Sequence, residues 1–161
     1  MTESILTEKM RAEIDKEIAK FPSDKKRSAA LMAIRIVQDL GNGSITTEQL
    51  EAIADYLDEP PIAIYEVATF YTMCKREPVG RHHIGICTNI SCQLNGAEEI
   101  ASHLKTRLNV DYDQVTPNGK FSLEEVECMG ACVNAPMCQI GKKYYEHLTP
   151  EKMDKILDEL K

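Results

Sequence analysis

Residues 82–92 read HHIGICTNISC, and residues 126–138 read VECMGACVNAPMC. Four of the six cysteines fall here as two close pairs, Cys87 with Cys92 and Cys128 with Cys132, with four and three residues between partners. Thiolates are soft ligands that select zinc, copper(I) or iron-sulfur cores, and pairs this close let one turn of chain present two sulfurs to one metal atom. Two pairs therefore make a four-sulfur cage. The competing use of a free cysteine is as a small core hydrophobe. Short-spaced pairs in segments that also hold Asn89, Gly130 and Asn134 are a poor way to fill a core.

Spacing bears on which metal the cage takes. Neither pair is the Cys-x-x-Cys knuckle usual for structural zinc, which disfavours zinc without removing it. A 2Fe-2S core has two irons, so Cys87 and Cys92 would hold one and Cys128 and Cys132 the other. The plant-type ferredoxin spacing puts three cysteines in one loop, and the bacterial two-cluster run packs four in a row; this chain has neither. Gly130 and Ala131 leave little side-chain bulk against an inorganic core, and all-cysteine ligation implies a low reduction potential, on the order of −400 mV. Cys74 and Cys138 have no close partner and are expected to be buried or incidental thiols, with a disulfide between them as the alternative.

Outward from the cysteines, the pattern divides near Gly80. Upstream, Met10, Ile14 and Ile18 recur at fourfold spacing and predict an amphipathic helix from Thr7 to about Lys20. Phe21-Pro22-Ser23 ends it, and Ser23 or Asp24 is the expected cap of a second helix reaching Leu40. Thr46 to Gln49 supplies a capping box for a third through Leu57, and Pro61 can open a fourth. Gly41-Asn42-Gly43 reads as a helix stop, because the rest of a dinucleotide fingerprint is missing. Downstream, His82 to Cys87 predicts a strand, and Ile100, Leu104 and Leu108 mark a helix face. Strands are expected around the Asn118-Gly119 turn, a hairpin around Gly141, and a terminal helix opening at Thr149-Pro150. Both cysteine pairs are expected in loops at strand ends. The division is residues 1–79 as a helical bundle and 80–161 as an α/β domain.

The chain has 161 residues and a net charge of −7. That sign repels nucleic-acid backbones and anionic lipid head groups, so nucleic acid is not an expected partner. No apolar run approaches a membrane span, which leaves attachment through partners and no direct insertion. The N-terminus lacks signal and transit patterns and is expected to be the mature start, in the cytoplasm, where cysteines serve metal or redox chemistry. There is no Gly-x-Ser-x-Gly, His-Glu-x-x-His or P-loop, so no catalytic residues are expected. Lys75, Arg76, Arg81, His82 and His83 form either a solvated linker or a basic docking strip, and His103 and His147 are expected at the surface.

CTNISC (Cys87 to Cys92) and VECMGACVNAPMC (Val126 to Cys138) resemble the cluster loops of the small 2Fe-2S subunit of respiratory NADH:quinone oxidoreductase, complex I. The resemblance extends to PPIAIYEVATFYTM (Pro60 to Met73), KREPVG (Lys75 to Gly80) and HLTPEKMDKIL (His147 to Leu157). It implies an α/β fold, a thioredoxin-like 2Fe-2S ferredoxin domain behind an N-terminal helical bundle. It also implies one 2Fe-2S cluster on Cys87, Cys92, Cys128 and Cys132, with FMN and NADH bound by a partner subunit and not by this chain. Electrons would pass singly between that flavin and the cluster, beside further iron-sulfur subunits, in a complex peripheral to the cytoplasmic membrane. The isolated chain would then be an electron carrier without NADH oxidation activity. The same subunit type occurs in NAD-dependent hydrogenases and formate dehydrogenases, and a zinc-stabilised interaction module is the remaining alternative.

Overall fold

The computed structural model describes residues 5–160. The expected mature start lies outside them. The described chain divides into two compact units, with the break between Pro78 and Val79.

The first unit is helical: α1 (Glu8–Ile18), α2 (Ala30–Leu40), α3 (Thr47–Leu57) and α4 (Pro61–Phe70). Its core is the set of apolar stripes that the periodicity marks, including Met10 and Ile14 of α1, Ile34 and Val37 of α2, Ile53 and Leu57 of α3, and Ile64 of α4. Each fully buried Ile or Leu contributes about 1.5–3 kcal/mol against exposure, which is what holds short helices together. The capping box forms in full, with the Gln49 backbone N–H donating to the Thr46 hydroxyl and the Gln49 side chain accepting from the Thr46 N–H. The expected cap of α2 does not form. A 3-10 turn, Lys26–Ala29, leads directly into the helix, so preceding carbonyls and turn geometry replace a side-chain cap. The Gln38 amide clamps the chain after α4, donating to the Met73 carbonyl at 3.1 Å and accepting from the Lys75 N–H at 2.7 Å.

The second unit is α/β: β1 (His82–Cys87), α5 (Ile90–Leu94), α6 (Ala97–Leu108), β2 (Gln114–Val115), β3 (Phe121–Val126), β4 (Cys138–Ile140), β5 (Lys143–Tyr145) and α7 (Pro150–Glu159). The sheet order is β2-β3-β1-β4-β5. β1 and β3 run parallel, which requires the crossover supplied by α5 and α6; the remaining pairs are antiparallel. Ile84, Ile86, Leu123, Cys138 and Ile140 form a core with Ile100 and Leu104 of α6 and Met153, Ile156 and Leu157 of α7. Because side chains alternate along a strand, His83, Gly85, Ser122, Glu124 and Gln139 belong to the opposite face. The ends of β1 and β3 lie side by side, Cys87 opposite Val126. Both cysteine segments therefore leave the sheet at the same edge.

Candidate metal centre

Cys87 is the last residue of β1 and is 2% exposed. The chain then turns at Asn89, whose side chain accepts from the Ile90 N–H, into the five-residue α5, and this places Cys92 at 1% exposure on a helix. The expectation that both pairs sit in loops at strand ends thus holds for Cys128, whereas Cys87 ends a strand, Cys92 lies on a helix and Cys132 opens a 3-10 turn. Cys87 and Cys92 pack with Ala97 and Met137 in a small core of their own, and Met129, Ala131 and Ala135 from the second cysteine segment pack against it. The Thr88 N–H donates to the Val126 carbonyl at 3.0 Å and the Cys87 N–H to the Met137 carbonyl at 3.3 Å, so the two segments are tied on both sides of the first cysteine.

Cys128 and Cys132 are exposed, the latter opening a 3-10 turn, Cys132–Asn134. Burial, then the hydrogen bond and charge of Cys87, push the Cys92 thiol up to about 11; the Met137 N–H opposes this and the charge of Cys132 adds to it. Gly130, at φ +73°, turns its N–H back onto the Cys128 Sγ at 3.4 Å. Among the described residues, no three His, Cys, Asp or Glu side chains are already gathered for a metal ion. The donor chemistry nevertheless fits an iron-sulfur core: only thiols, a backbone N–H donor on the Cys128 sulfur, and alanine, glycine and methionine around them.

The other two cysteines are free thiols in separate cores. Cys74 belongs to the helical core and Cys138 to the sheet core, where its Sγ is 3.9 Å from the Met153 Sδ and burial pushes it up to about 12. His83 is no part of a solvated strip: its ring nitrogens are 2.7 Å from the Ser122 Oγ and 2.8 Å from the Glu124 carboxylate, bracing β1 against β3. His103 is paired too, 2.9 Å from Asp154, which links α6 to α7.

Sequence reasoning passed over Gly85 and Met129. A Cβ on Gly85 would lie 2.9 Å from the Met129 Cε and 3.1 Å from the Val126 Cγ2, so the second cysteine segment is seated in a hollow that only glycine leaves. A glycine inside an apolar strand is the signal of such a close approach.

A family model for the thioredoxin-like 2Fe-2S ferredoxin matches residues 14–161. The chain belongs to that family. An NADH-quinone oxidoreductase subunit of Rickettsia bellii is 46% identical over 144 residues, covering 89% of this chain and 86% of the relative. The corresponding subunit of a Rhizobium meliloti NADH-quinone oxidoreductase is 40% identical over 149 residues, covering 92% and 87%. Among solved structures, an NAD+-reducing NiFe-hydrogenase in the air-oxidised state superposes with a TM-score of 0.68 at 19% identity, over 81% of this chain and 22% of that one. That likeness establishes the shared fold, and the family match spans both the helical unit and the α/β unit.

Proposed function

We propose that this chain is the 2Fe-2S electron-transfer subunit of an NADH-quinone oxidoreductase, with Cys87 and Cys92 holding one iron and Cys128 and Cys132 the other. The observation that carries the proposal is the 46% identity to a subunit of that enzyme in Rickettsia bellii, spread over nearly the whole of both chains. The second pair, exposed and on a loop, closes onto the buried first pair as metal binds. When bound, the cluster supplies one-electron chemistry at low potential.

FMN and NADH belong to a partner subunit. The exposed Ile90 and Leu94 on the helix of Cys92, and Val133 beside Cys132, give the cysteine edge an apolar rim suited to a protein partner. In the helical unit, proposed as residues 1–79, Ile62 and Phe70 of α4 are 63% and 79% exposed and provide further surface for assembly, including with other iron-sulfur subunits. No helix among the described residues is long and apolar enough to cross a membrane. Attachment to the membrane, on its cytoplasmic side, is through the complex.

Purification of the tagged chain from its own organism tests this. An FMN-containing partner and further iron-sulfur proteins are expected to come with it, and the isolated chain is expected to oxidise no NADH. Strong NADH dehydrogenase activity in the pure chain, or a preparation that brings no flavoprotein, overturns the assignment.

A further inference from the structure

One peptide unit in the second cysteine segment carries two hydrogen bonds of opposite sense. Its N–H, that of Gly130, donates to the Cys128 Sγ at 3.4 Å. Its carbonyl, that of Met129, accepts from the Tyr144 hydroxyl at 3.0 Å. The sheet register makes this no accident of an exposed loop. Tyr144 lies opposite Gln139, Gln139 opposite Gly85, and Gly85 opposite Glu124, so these four form one row on one face. Met129 lies over that row, with its side chain against Gly85 and its carbonyl against Tyr144.

We propose that Tyr144 is a positioning residue for the metal centre, acting through the Met129–Gly130 peptide on the sulfur of Cys128. It rests on the reading of Cys128 as a cluster ligand. Two physical effects point the same way. The hydroxyl fixes the plane of the peptide, so that its N–H stays aimed at the sulfur. Donation to the carbonyl also polarises the peptide, and hydrogen bonds in series strengthen one another by roughly 10–30%. A donor at a ligand sulfur favours the more negative, reduced state of an iron-sulfur core and raises its potential. Phenylalanine at 144 keeps the ring on its half-exposed edge strand and removes only the donor.

The experiment is Tyr144→Phe in the full chain, with Tyr112→Phe as control, since the Tyr112 ring lies against Lys105 at 3.7 Å and the Met129 carbonyl takes its bond from Tyr144 instead. In the cluster-loaded protein, the reduced-to-oxidised ratio at a fixed ambient potential is expected to fall about threefold, a shift of roughly 30 mV for one electron. In the metal-free protein the Gly130 amide proton resonance is expected to move upfield, with thermal unfolding unchanged. The control is expected to change neither. A potential and a Gly130 amide that stay where they are, or that move equally in the control, overturn the role of Tyr144. A wild-type chain that takes up no iron and sulfide instead overturns the ligand assignment, and with it the role proposed here for Tyr144.

Discussion

Gly85→Ala is the sharpest perturbation of how the second cysteine segment is held. The added methyl would stand 2.9 Å from the Met129 Cε and 3.1 Å from the Val126 Cγ2, on a buried central strand. Overpacking of a well-filled site costs about 1–3 kcal/mol. Met129 is flexible and half-buried, so its end can yield, whereas the β-branched Val126 cannot, and the clash belongs near the middle of that range. Alanine returns about 0.5–1 kcal/mol of backbone entropy. The net loss is then about 1 kcal/mol, a factor of roughly five in the unfolding equilibrium. Met129→Ala leaves a void at a half-buried site and costs about 1–2 kcal/mol, below the range for a fully buried methionine. In the double variant the new methyl occupies part of that void, so the two costs are expected to fall short of their sum by about 1 kcal/mol. Hydrogen exchange of the β1 and β3 amides measures this within the second unit, and the lifetime of the iron-sulfur absorption in air reports on the cysteine segment. That lifetime is expected to shorten in Gly85→Ala and to recover in part in the double variant. Strictly additive costs, or a Gly85→Ala protein as stable as the parent, show that Met129 is not seated on Gly85.

Cys128→Ser and Cys132→Ser are each expected to abolish the visible iron-sulfur spectrum of the purified protein, while Cys74→Ser retains it. Cys138 yields a pH test: a thiol raised to about 12 by burial stays neutral while the unfolded thiol ionises. Its contribution to stability is complete below the unfolded pKa near 8.5 and is lost between there and about 12, at about 1.4 kcal/mol per pH unit. The unfolding free energy of Cys138→Ala is therefore expected to fall less steeply than that of the parent above pH 9 in urea titrations; parallel profiles count against a buried thiol. Leu94→Ser removes a side chain that is 81% exposed in the free chain, and its burial in a partner interface would be worth about 1.5 kcal/mol. Roughly tenfold weaker association with the flavoprotein is expected, read by titration of the two purified subunits.

What the sequence disclosed was local. The apolar stripes of α1 and α3, the Thr46–Gln49 box and the strand ending at Cys87 are short-range patterns, and each forms as its spacing predicts. The entry to α2 departs from the expected side-chain cap because a 3-10 turn stands in for it, and no residue type marks that choice. The short helix carrying Cys92 was passed over because five residues are too few for periodicity, although Asn89 was a usable cap signal. The pairing of β1 with both β3 and β4 joins residues far apart in sequence, and the fold at that level came from resemblance and not from pattern. The same distance hid the seat of Met129 on Gly85 and its bond to Tyr144, which depend on register alone. The proposed soft-metal cage rests on ligand type and spacing, which are local, while the unequal burial of its four thiols is not legible in the sequence.

Iron, zinc and acid-labile sulfide analysis of the chain isolated without oxygen from its own organism, with EPR after dithionite reduction, reaches the heart of the proposal. Two irons and two sulfides per chain are expected, as the family's 2Fe-2S core requires, together with the signal of a single unpaired electron. A colourless protein loaded with zinc and devoid of sulfide would instead make the four cysteines a structural cage and end the electron-transfer role.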